Sequence, residues 1–106
     1  MGFFDDALDF LGDVAEGAAY GIMAVKEQSD DLNAKGCDLL DRGNYSGAFE
    51  AFEKAVELGN ATAARNLGLC YECGYGTKVN SYEAAEYYKL AIKHGYSKAE
   101  NDLKRL

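Results

Sequence analysis

No stretch of this chain approaches the roughly 18 continuous apolar residues that a membrane-crossing helix needs, so no span is expected. Basic residues are scarce where acids gather. Residues 1–31 hold eight acids (Asp5, Asp6, Asp9, Asp13, Glu16, Glu27, Asp30, Asp31) against Lys26 alone, whereas residues 32–106 hold ten of each sign. The net charge of −7 therefore belongs to this leader. Without a basic face there is nothing to attract phosphates, which argues against nucleic acid and anionic membrane and favours a basic protein surface as partner. Cysteine is sparse and odd in number: Cys37, Cys70 and Cys73. Such a set does not read as a disulfide framework. The opening Met-Gly-Phe-Phe-Asp-Asp has no basic region before its apolar residues, unlike a secretory signal, and Asp6 stands where myristoylation wants Ser or Thr. A cytoplasmic protein is the resulting expectation.

Reactive constellations are equally thin. His94 is the one histidine. It falls in the last turn of an expected helix, where the dipole favours a cation, and no nucleophile or orienting acid stands at a recognisable spacing. Cys70-x-x-Cys73 with Cys37 and His94 would supply four zinc ligands, but both members of the pair fall on one helix and no second close pair exists. Thiols acting as small hydrophobes are expected instead. Gly74-Tyr75-Gly76 lacks the preceding strand and the Lys-Ser/Thr pair of a phosphate loop, so it reads as a turn. No catalytic residue, metal or cofactor is expected.

What the chain does carry is a ladder of small and aromatic residues written twice. The first runs Gly36, Ala48, Phe52, Ala55 and the second Gly68, Ala84, Tyr88, Ala91. Their last three rungs coincide at an offset of 36 residues, as do Gly59/Gly95, Ala63/Ala99 and Leu67/Leu103. Four extra residues separate Gly68 from Ala84, relative to Gly36 and Ala48. A fixed period of this size marks a stack of helix pairs. Two antiparallel helices approach closely only where one side chain is nearly absent. Gly36 and Gly68 are therefore expected to face Ala48 and Ala84, with Phe52 and Tyr88 filling the space one turn on and Ala55 and Ala91 admitting the next pair.

Residues 36–55 resemble a tetratricopeptide repeat in these steps. Residues 63–95 resemble a Sel-1-like repeat, reading A-x-x-x-L-G-x-x-Y-x-x-G-x-G (Ala63, Leu67, Gly68, Tyr71, Gly74, Gly76), then Ala84, Tyr88, Ala91 and Gly95. Thr77, Asn80 and the absence of proline depart from the family pattern. The resemblance implies an all-α fold, an α-α superhelix of two helix-turn-helix repeats with an amphipathic N-terminal helix and a C-terminal capping helix. The expected divisions are residues 1–28, 29–60, 61–96 and 97–106. It also implies that the first helix of each pair lines a concave face. That face would carry Asn33, Cys37, Leu40 and Asp41, then Arg65, Asn66, Leu69, Glu72 and Cys73, and finally Asn101, Asp102 and Arg105.

The leader adds a stripe of its own, Phe4, Leu8, Leu11, Ala15, Ala18, Ile22 and Val25, stepping alternately by four and three with acids opposite. A helix over residues 3–27 follows, weakened by Gly12, Gly17 and Gly21 at about 1 kcal/mol each relative to alanine. Ser29 or Asp30 is expected to cap the next helix, running to about residue 42. Further helices are expected over residues 45–58, 61–73 and from Asn80 to about residue 94. A last one would run over residues 97–106, with capping boxes at Asn80/Glu83 and Ser97/Glu100.

A protein–protein interaction module using the concave face is the leading expectation. A bacterial immunity or effector-associated factor is a variant of it, and a homo-oligomer joined by the leader is an alternative, with leader acids opposing self-pairing by repulsion. Some secreted relatives in the resembled family are credited with β-lactam binding or hydrolysis. Here paired cysteines and a Ser-x-x-Lys are missing, so an enzyme is not expected.

Overall fold

The computed structural model describes residues 19–106, and among them every regular element is a helix. There are five: α1 (Ala19–Asp41), α2 (Tyr45–Glu57), α3 (Ala61–Cys73), α4 (Ser81–Lys93) and α5 (Ala99–Arg105). Each packs on its neighbours in sequence, giving the hairpins α1/α2 and α3/α4 and then α5. This is the expected succession of helix pairs. No described helix is long and apolar enough to cross a membrane.

The hairpins close around the two glycines of the ladder. A Cβ on Gly36 would lie 2.6 Å from Phe52 Cδ1, and one on Gly68 would lie 2.7 Å from Tyr88 Cδ1 and 3.1 Å from the Ala84 carbonyl oxygen. In both pairs the aromatic ring occupies the volume that the glycine leaves empty. Phe52, Tyr88, Ala48, Ala84, Ala55 and Ala91 are all fully buried, as are Ala63, Ala99 and Leu67. The core therefore follows the repeated positions. Against it, Phe49 meets Tyr71 edge-on and Tyr71 stacks on the buried Tyr87, both with ring centroids 5.5 Å apart, tying α2, α3 and α4 together.

The turns between α1 and α2 and between α2 and α3 are built from Gly-Asn pairs. Gly43 and Gly59 take positive φ (82° and 92°), which lets the next amide reach back: Asn44 N–H donates to Leu39 O and Asn60 N–H to Ala55 O. The same asparagines then open the following helices, Asn44 Oδ1 accepting from Gly47 N–H and Asn60 Oδ1 from Ala63 N–H. One residue ends a helix and the next begins another. The longer loop before α4 lies against the start of α2, where Tyr75 stacks on Tyr45 at 4.7 Å.

Three capping expectations are corrected. Ser29 and Asp30 cap nothing, because α1 runs unbroken through them. Ser29 Oγ instead donates to the Lys26 carbonyl one turn back, which satisfies it inside the helix. Asn80 does accept from Glu83 N–H, but its own amide donates to Tyr71 O, so the reciprocal half of the box is replaced by a loop contact. Ser97 does not cap α5, which starts after Lys98 with no side-chain cap. Its first turn is held by three-residue backbone bonds such as Glu100 N–H to Ser97 O. The expected leader helix falls mainly on residues outside those described.

The glycine–ring contact carries a prediction. Gly36→Ala and Gly68→Ala should each lower the free energy of unfolding by about 1–3 kcal/mol through overpacking. This opposes the gain of about 1 kcal/mol that alanine brings to an exposed helix. Urea denaturation measures the net sign, and unchanged or increased stability would contradict a spacing set by these rings.

Candidate partner-binding face

The face expected to bind a partner is built from α1, α3 and α5, and side-chain hydrogen bonds knit the three together. Asn66 Nδ2 on α3 donates to Asn33 Oδ1 on α1 at 2.9 Å and approaches Cys37 Sγ at 3.7 Å. Between α3 and α5 the link is ionic. Arg65 grips Asp102 with two bonds of 2.7 and 3.0 Å. Arg105 grips Glu72 with bonds of 2.9 and 2.7 Å and reaches Asp102 Oδ1 at 3.0 Å. Tyr88, otherwise a core ring, donates its hydroxyl to Glu72 Oε1 at 2.6 Å.

The result is one continuous network, Tyr88–Glu72–Arg105–Asp102–Arg65. Two carboxylates and two guanidiniums cancel, and planar bidentate pairing gives the bonds their direction. The Asp102 side chain is only 6 % exposed, so removing its partners would strand a buried charge. The Arg65 guanidinium holds its carboxyl below the usual carboxylate range, against the opposing effect of burial and with help from Arg105. Glu72 is likewise depressed, chiefly by Arg105 and further by the Tyr88 hydroxyl. Burial pushes the Tyr88 hydroxyl up, and its bond to the Glu72 carboxylate adds to the shift.

The sequence-derived residues thus divide. Arg65, Glu72, Asp102 and Arg105 are engaged with one another, joining α5 to α3. Asn33 and Asn66 meet across the α1/α3 seam. Leu69 is half-buried without joining the apolar core, whereas Leu40 packs against it. Asp41, Asn101, Cys37 and Cys73 are exposed. Cys37 has its thiol pKa raised by partial burial and by Asp41. Cys70 is fully enclosed, and burial lifts its pKa to about 12. Neither is poised as a thiolate.

Asn60 was not anticipated. Besides capping α3, its Nδ2 donates to Asp30 Oδ1 at 2.9 Å and Ser29 Oγ at 3.3 Å, bolting the α2/α3 turn to α1. The glycine before it signals a turn, but only packing shows that its amide faces α1. The role of the Tyr88 hydroxyl was missed for a related reason. A ring position in a repeat reads as core, and nothing local announces a carboxylate sixteen residues earlier in the chain.

No protein-family model matches the chain, and no solved structure matches it. Among curated proteins it is similar to the DAP3-binding cell death enhancer 1 of Rattus norvegicus and that of Mus musculus, at 41 % identity over 46 residues in each case. The match spans 43 % of this chain and 9 % of those relatives' length.

Two outcomes are expected. Asp102→Asn should cost about 2–3 kcal/mol at neutral pH by unpairing Arg65. Because the native carboxyl pKa values are depressed, their contribution is complete above the unfolded values near pH 4 and is lost as pH falls through the native ones. The stability gap between wild type and variant, followed by denaturation across pH, should therefore close on acidification below about pH 4. In a thiol titration of the native protein, Cys37 and Cys73 should react and Cys70 only on unfolding; fast reaction of all three would contradict the enclosure of Cys70.

Proposed function

We propose that this chain is a protein-interaction module, related to the tetratricopeptide and Sel-1-like repeats, that takes a segment of a partner protein along the α1–α3–α5 face. The observation that carries this reading is the division of labour on that face. Arg65, Glu72, Asp102 and Arg105 neutralise one another in a network that holds α5, which leaves amide groups, an apolar side chain and the exposed Asp41 as the means of recognition. Asn33, Asn66 and Asn101 offer hydrogen-bonding amides on the alternate helices α1, α3 and α5, and Leu69 offers an apolar contact beside them. Amides at regular intervals suit the backbone of an extended or helical segment, whose peptide groups recur whatever its sequence.

The charge distribution supports a basic partner. The body is neutral and the leader acidic, so a cationic segment would be steered toward the chain from a distance. The curated relatives are named for binding DAP3, which supports a protein as the class of ligand.

Affinity capture tests the reading. Wild type should retain a stoichiometric protein partner, and the double variant Asn66→Ala/Leu69→Ser should retain at least tenfold less. The melting midpoint of the variant should fall by only a few degrees, since it loses the part-buried Asn66–Asn33 hydrogen bond while neither residue belongs to the core. Capture undiminished by this variant, or no partner at all from native lysate, would refute the groove as the recognition surface.

A further inference from the structure

Three rings form a seam between α2 and α4. Phe49 on α2 meets Tyr71 edge-on, and Tyr71, reaching in from α3, stacks on Tyr87 of α4 with ring planes 7° apart. Both helices pack on α3, and the rings bridge them. Phe49 and Tyr71 are half-buried, so part of the seam faces solvent.

Each wall adds a carboxylate one helical turn from its ring. Glu53 follows Phe49 by four residues on α2, and Glu83 precedes Tyr87 by four on α4. Both acids are half-buried, and among the described residues neither side chain forms an ion pair or hydrogen bond. Burial raises the Glu53 carboxyl pKa, and Glu57 and Glu50 on the same helix raise it further. Burial likewise raises the hydroxyls of Tyr71 and Tyr87, with Glu83 and Glu53 adding to each. The two carboxylates therefore act on one pair of hydroxyls from opposite walls. Glu83 also stands in the first turn of α4, where the helix dipole keeps it ionised. The bases of these walls do not compensate them: Lys89 is held by Glu86 at 3.6 Å, and Lys54 projects about 100° around α2 from Glu53.

We propose that this seam receives a lysine or arginine side chain from a basic segment of a partner protein. The cation lies between Glu53 and Glu83 and against the exposed parts of the Phe49 and Tyr71 rings, combining ion pairing with cation–π attraction. Part of the cost of removing the carboxylates from water is already met in the free protein, so the site is prepared for a counter-charge. Charge also selects the occupant. The leader, at −7 over residues 1–31, and a second copy bearing the same acids are both repelled, whereas a basic segment is drawn in. The inference is independent of recognition along the α1–α3–α5 face.

A fluorescein-labelled dodecapeptide of alternating lysine and alanine, titrated with the full chain and followed by anisotropy, should bind saturably at one site. Glu53→Gln/Glu83→Gln should weaken it about tenfold or more. The charge-matched Asp31→Asn/Glu100→Gln, at exposed residues of α1 and α5, should weaken it less than about twofold, as should Asn66→Ala/Leu69→Ser. Protection of Cys70 from thiol reagents checks that each variant is folded. The chain has no tryptophan, so the unlabelled peptide should change its tyrosine emission in wild type and not in Glu53→Gln/Glu83→Gln. Equal weakening by the two charge-matched variants would overturn the proposal by reducing binding to overall charge. Undiminished binding to Glu53→Gln/Glu83→Gln would overturn it too. So would failure of the full chain to bind the peptide, the outcome expected if the leader or a second copy filled the seam.

Discussion

The contact between a helix backbone and an aromatic ring, made at Gly36 with Phe52 and again at Gly68 with Tyr88, governs the architecture. With no side chain at the glycine, the ring lies directly on the facing helix and fixes the separation within each hairpin. Close packing then makes the arrangement intolerant of even one added methyl group. Ala48, Ala55, Ala84 and Ala91, all fully buried, extend the same economy of volume through the rest of the core. The order of α1, α3 and α5 along one face is a consequence of that spacing, since each hairpin places its first helix beside the last.

Polar interactions act on a body already positioned by this packing. α5 has seven residues and no side-chain cap, too short to persist as a free helix. It is held by Ala99 in the core and by the pairing of Asp102 and Arg105 with Arg65 and Glu72. The network spans a core ring at one end and the terminal helix at the other, so burial and ionic pairing support the same join. Its pairing also means that Arg65, Glu72, Asp102 and Arg105, which look available in a list of residues, are already engaged with one another.

Much of the fold was legible in the sequence. The bounds of α3 and the turns at Gly43 and Gly59 follow from small-residue spacing and from glycine placed before asparagine. These signals are local, and local sterics decide them. The errors share another origin. Ser29 looks like a cap because its side chain can satisfy a helix start, yet the same hydroxyl can bond within a helix, and the stripe running through it keeps the helix intact. Ser97 and Glu100 match a capping pattern, but backbone bonds from Tyr96 and the burial of Ala99 set where α5 begins.

For the candidate face the balance shifts. The chain alone determined which positions share a helix side, because periods near 3.6 residues map directly onto a surface. It also determined where charge accumulates. Only the tertiary structure decided which of those side chains meet: Arg65 with Asp102 across 37 residues, Glu72 with Arg105 across 33, and Asn60 with Asp30 across 30. Such pairs depend on the crossing of helices distant in sequence, and ion pairing depends on distance and burial, neither of which a one-dimensional pattern contains.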